Sequence, residues 1–107
     1  MTDEDRSAYL DLLRQLKNGD GDANDLGRKL WGLSMQRSEG DWIYYPSWLL
    51  WGGLTDWVEN KPEEKEQAAA AMVEAAREFL EVNGSATRER EYFDRWLYER
   101  VGYQRPT

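Results

Sequence analysis

The chain contains no cysteine and no histidine. Without cysteine there is no disulfide, no thiolate zinc site and no cysteine nucleophile, and a reducing compartment is compatible with that usage. Without histidine, the commonest general base near neutral pH and the commonest transition-metal ligand are both missing. Long apolar runs are missing as well. The longest, Trp48–Leu54, includes two glycines and falls far short of the roughly 20 residues that span a bilayer. Residues 1–7 are polar and acidic, with neither the basic nor the apolar segment of a secretory leader. These features predict a cytoplasmic protein with no membrane segment. Positive charge is also scarce, with 14 Lys and Arg against 21 Asp and Glu and a net charge of −7. Nucleic-acid binding needs clustered cations, so the expectation is no nucleic-acid partner. An acidic surface suits a basic protein partner, and it serves solubility equally well.

What is present reads as helix. The length of 107 residues predicts one domain with one modest core. Thr2-Asp3-Glu4-Asp5 is a helix start, with acids where the helix dipole favours them. Tyr9, Leu12, Leu13 and Leu16 then recur at helical spacing, predicting a helix over 3–17. Residues 17–24 form a turn by composition. Asp20, Asp22 and Asn24 alternate as in a calcium loop, but Asp25 stands where that loop needs glycine and Trp31 where it needs glutamate. No metal site is expected.

Asn24 or Asp25 is placed to cap a second helix over 25–37, with Leu26, Leu30 and Leu33 inward. Asn60-Lys61-Pro62-Glu63-Glu64 is a helix start with proline in the first turn. The helix it opens, over 62–82, turns Ala69, Met72, Val73, Ala76, Phe79 and Leu80 inward, and Asn83-Gly84 stops it. Thr87 caps a last helix over 88–101, with Phe93, Trp96, Leu97 and Val101 inward and Tyr92 flanking. Glu91–Arg95 and Arg95–Glu99 are expected surface pairs. Residues 102–107 read as a frayed tail.

Chemistry is hard to find. No phosphate loop occurs, and no serine sits in a nucleophile-elbow context. Glu74 and Glu78 share a helix face, but nothing converges on them. Arg88, Arg90, Arg95 and Arg100 alternate with Tyr92, Trp96 and Tyr98, yet neighbouring acids cancel their field, which reads as a salt-bridged face. The expectation is no enzyme, no catalytic residue and no cofactor.

The dense feature is Asp41–Val58. Six of its eighteen residues are Trp or Tyr, and large rings dominate both cores and interfaces. Asp41 can cap a short turn through Trp42, Ile43 and Tyr44; a strand over 42–45 is the competing assignment. Pro46 opens a helix to about Glu59, whose inner face is Leu50, Leu54, Trp57 and Val58. Gly52-Gly53 is a bend or a tight packing point. Tyr44 and Tyr45 are rigid, amphipathic rings suited to anchoring an interface, and Asp41 could pair with a partner's cation. The alternative is that Trp42, Ile43 and one tyrosine plug the core. Candidate partner-binding residues are Asp41, Trp42, Tyr44, Tyr45 and Trp48.

At Asp41-Trp42-Ile43-Tyr44-Tyr45-Pro46-Ser47 the chain resembles the nuclease-colicin and pyocin immunity proteins, small acidic helical proteins that bind and inhibit a bacteriocin nuclease domain. Ala8-Tyr9-Leu10-Asp11-Leu12-Leu13 and Asn18-Gly19-Asp20 are similar to that family's first helix and turn. The resemblance covers about residues 7–47. It implies nuclease-contacting roles for Asp41, Tyr44 and Tyr45, with Pro46 as their structural companion. The chain departs from the family at Arg28, Lys29 and Trp31, where the family's specificity-setting acids lie, and in its longer, Trp-rich remainder, which requires an extra helix.

The sequence therefore predicts an all-α, single-domain five-helix bundle with a short aromatic turn before the third helix. Its expected role is a protein-binding inhibitor of immunity type acting on a basic protein, plausibly a nuclease, as a monomer or weak homodimer. The alternative is a helical adaptor or phage-encoded accessory protein that self-associates through the Trp-rich stretch.

Overall fold

The computed structural model of the chain describes residues 3–35 and 44–104, the side chain of Tyr44 excepted. Among them, every regular element is helical. Helix α1 spans Asp3–Asn18, α2 Ala23–Ser34, α3 Tyr44–Asn60, α4 Lys65–Val82 and α5 Ala86–Asp94; a 3-10 turn, Pro62–Glu64, joins α3 to α4. After Asp94 the last helix widens into a π-helical segment, Arg95–Val101, and Gly102 closes it in the left-handed conformation with its N–H on the Leu97 carbonyl. The all-α, five-helix expectation holds.

Local chemistry explains the boundaries, with three corrections. The cap of α2 is Asp22, whose carboxylate accepts from the Asp25 N–H at 3.0 Å, rather than Asn24 or Asp25. The same carboxylate lies 3.8 Å from Lys65 of α4. It is thus a cap and a helix-to-helix tie, and no metal-binding group of acids occurs among the described residues. The cap of α5 is Ser85 rather than Thr87. Helix α3 begins by Tyr44, ahead of Pro46, so Tyr44 and Tyr45 belong to the helix and not to a preceding turn or strand. Proline is tolerated there because the first-turn N–H it lacks has no acceptor inside the helix. The remainder of the expected turn, Asp41–Ile43, lies outside the described residues.

The core forms where the inward stripes meet. Leu13, Leu16, Leu30, Leu50, Trp51, Met72, Phe79, Tyr92, Phe93 and Trp96 are all buried to within 2%. Phe79 is its aromatic centre, with the rings of Tyr9, Tyr92 and Phe93 at 5.4–5.7 Å from its own. Tyr92 is fully inside rather than flanking, because its hydroxyl donates to the Ala75 carbonyl at 2.7 Å. On α2, Gly27 allows close approach: a Cβ there would stand 3.1 Å from both Met72 Sδ and Thr55 Cγ2.

Two buried polar constructions tie the layers together. In the first, the Trp51 indole N–H donates to the Tyr9 hydroxyl at 3.0 Å. Tyr9 bonds Ser47 at 2.7 Å, Ser47 bonds Ser34 at 2.6 Å, and Ser34 donates to the Leu30 carbonyl at 2.7 Å. The ends fix the protons. An indole can only donate and a carbonyl can only accept, so Ser34 receives from Ser47, and Ser47 receives from Tyr9. This one-way relay joins α1, α2 and α3. In the second, Glu89 is 3% exposed. Its carboxylate accepts from Arg6 of α1 at 3.1 Å and from the Gly84 N–H at 2.8 Å. Although it lies among charged residues in sequence, Glu89 is the buried clasp between α1 and the α4–α5 corner.

Replacing Ser47 by Ala leaves the Tyr9 hydroxyl without its acceptor and Ser34 without its donor. A destabilisation of about 1–3 kcal/mol is expected in urea titration with an unchanged slope; a loss below about 0.5 kcal/mol would show the relay to be dispensable.

Alkaline pH provides a second test. Burial pushes the Tyr9 hydroxyl up to about 12 and raises that of Tyr92, whereas an unfolded tyrosine ionises near 10. Between about pH 10 and 12 the folded chain keeps protons that the unfolded chain has lost, so stability is full below that window and falls as pH rises through it. Tyr9→Phe should remove about one proton from the slope of unfolding free energy against pH in that range, and an unchanged slope would exclude Tyr9 as a source.

Candidate functional site: the outward stripe of α3

Helix α3 carries two stripes. Ser47, Trp51 and Leu54 point inward and are buried, Ser47 and Trp51 held by the relay. About 100° per residue around the helix, the positions 45, 48, 52, 56 and 59 fall on the opposite face. Tyr45 is 54% exposed and Trp48 37%. Three residues apart, their rings stack with centroids 6.1 Å apart and planes at 27°. Asp56 and Glu59 continue the stripe as exposed carboxylates.

A groove of about 410 Å³ runs along this stripe, between α3, α2 and the residues following the π-helix. Trp31 of α2 forms one wall. It fits because Gly52 has no side chain: a Cβ there would stand 3.2 Å from the Trp31 indole nitrogen. Tyr103, just past the last helix, forms the other wall and donates its hydroxyl to the Leu49 carbonyl at 3.3 Å. Burial, then the negative charge of Asp56, raises the Tyr103 hydroxyl above its ordinary value. Arg28 pairs with Glu59 at 3.0 Å. No ion pair or hydrogen bond engages Asp56 among the described residues.

A second cavity, of about 470 Å³, opens between α3, α4 and the π-helix. Its charges are matched internally. Arg100 forks onto Glu74 at 2.9 and 3.0 Å while its guanidinium lies 4.2 Å over the Trp96 ring. Glu64 accepts from the Trp57 indole at 3.2 Å and lies 3.8 Å from Lys61. The hydrogen bonds from Arg100 hold the Glu74 carboxyl below its usual range. The Trp96 indole N–H, buried beside this cavity, has no acceptor among the described residues. The expected pairs of Arg95 within its own helix are corrected here: Arg95 crosses to Glu78 of α4 at 2.7 Å.

Of the sequence candidates, Tyr45 and Trp48 come together on the exposed face. Asp41, Trp42 and the Tyr44 side chain lie outside the described residues. Trp57, assigned to the inner face, is only half-buried, its indole turned to Glu64. Trp31, Asp56 and Tyr103 are groove residues that sequence reasoning missed. Asp56 could have been found by extending the 45, 48, 52 spacing; Tyr103 had no such signal, since its place depends on how the π-helix ends. No helix among the described residues is long and apolar enough to cross a membrane. No protein-family model, curated protein or solved structure matches the chain.

The two stripes predict opposite responses from neighbouring tryptophans. Trp51→Ala should cost about 3–5 kcal/mol, while Trp48→Ala should stay within about 1 kcal/mol of wild type in the same urea titration. Equal losses would mean that the outward stripe is structural.

Proposed function

We propose that this chain is a small acidic protein-binding inhibitor of immunity type, which engages a basic protein through the outward stripe of α3 and blocks that protein's working surface. The observation that carries the reading is the stacked, exposed Tyr45–Trp48 pair. The protein core has a full aromatic cluster without these two rings, and stability gives no reason to hold them in water. Exposed aromatics on a rigid helix are the residues from which interface hot spots are made. The net charge of −7 supports a basic partner by electrostatic complementarity. The resemblance at Asp41–Ser47 supports a nuclease domain as the class of target, and it bears on the same end of α3.

The test is affinity capture from the source cell with wild type and a Tyr45→Ala/Trp48→Ala double variant, followed by measurement on the purified partner. Wild type should retain one basic protein, inhibit its activity and bind it more weakly as salt rises; the double variant should lose it. An unchanged set of captured proteins would discard the site. Concentration-dependent dimerisation abolished by the double variant, in light scattering, would favour self-association instead.

A further inference from the structure

We propose that the groove between Trp31, Trp48 and Tyr103 is a slot for one arginine side chain of the basic partner, with Asp56 as its counter-ion. This rests on the protein-binding reading and specifies how that face recognises its target. The walls are two indoles and a phenol, whose ring faces attract cations. The charge balance inside the groove is incomplete among the described residues: Arg28 and Glu59 neutralise each other at 3.0 Å, and none of the described cations pairs with Asp56. Asp56 lines the same groove as the three rings, and its field reaches Tyr103 on the far wall. A volume of about 410 Å³ accommodates a guanidinium with its stem.

The chain already builds this recognition unit elsewhere for itself. In the second cavity Arg100 lies over an indole and forks onto a carboxylate. The α3 groove presents the same two components, ring and carboxylate, and its own guanidinium, that of Arg28, is taken up by Glu59. Arginine fits better than lysine because its planar, weakly hydrated fork both stacks on rings and bonds a carboxylate, whereas an ammonium keeps its water. Gly52 is what makes the slot possible, since any side chain there would displace Trp31.

The experiment titrates the full chain with N-acetyl-arginine amide and, in parallel, with its uncharged near-isostere N-acetyl-citrulline amide. The readout is the indole N–H signals of the six tryptophans in a nitrogen–proton correlation spectrum. The arginine derivative should shift the Trp31 and Trp48 signals saturably, in the millimolar range expected for a single side chain, and leave those of Trp51 and Trp96 in place; citrulline should not. Asp56→Asn, a change at an exposed site, should weaken the arginine response about threefold, the scale of one exposed charge pair. Trp48→Leu should abolish the saturable response at Trp31.

Equal shifts with citrulline, no saturable shift with arginine, or an Asp56→Asn response equal to wild type would each overturn the slot. If the slot fails while capture of a partner still depends on Tyr45 and Trp48, the binding reading stands without it. If arginine binds and no partner is captured, the broader reading falls and the slot remains a property of the surface.

Discussion

The rotation of α3 about its own axis is set by the hydroxyl relay through Ser47. Once Ser47 and Trp51 are bonded into the core, with Tyr9 between them and Ser34 beyond, the helix has one orientation left. Tyr45, Trp48, Asp56 and Glu59 must then face out. A purely apolar seam would define that rotation by shape alone, because the hydrophobic effect is non-directional. Hydrogen bonds add defined lengths and angles, and a buried polar group left unbonded costs more than a bond gains. The exposed rings are therefore a consequence of the buried ones.

This explains how the densest stretch of the sequence serves two purposes. Helix α3 holds Tyr44, Tyr45, Trp48, Trp51 and Trp57, too many large rings for one face of one helix. Trp51 goes to the core and Trp48 to the surface, three residues away. Trp57 takes an intermediate place at the junction with the 3-10 turn. Glycine organises the surface side: Gly52 admits Trp31 of α2 into contact with the α3 backbone, which converts a row of side chains into a groove with walls. The opposite cavity has more volume but no unmatched charge. Its Arg100 forks onto Glu74 and covers the Trp96 ring, which makes it a brace between α4 and the π-helix.

Much of this was legible from residue order. The helical class, the existence of all five helices and most inward positions follow from apolar spacing at Leu13, Leu30, Leu54, Met72 and Phe93. Caps were less legible, since Asp22, Asn24 and Asp25 compete for one role and only geometry chooses. Buried polar residues were the least legible. Ser34 and Ser47 look like surface serines, and Glu89 sits among charges on both sides. Their burial depends on partners 13, 38 and 83 positions away, which no local pattern encodes. The π-helix was missed for a related reason. A widened turn leaves the apolar spacing of Phe93, Trp96 and Leu97 intact, so no side-chain pattern marks it.

The polarity of the relay has a consequence for how this sequence can change over generations. Its protons run one way, from an indole that cannot accept to a carbonyl that cannot donate. No member can be exchanged alone for an apolar residue without stranding its neighbour, and none can be reversed. A change at Tyr9, Ser34, Ser47 or Trp51 alone therefore carries the cost of a neighbour's unbonded polar group, while the outward stripe beside them is under no such condition.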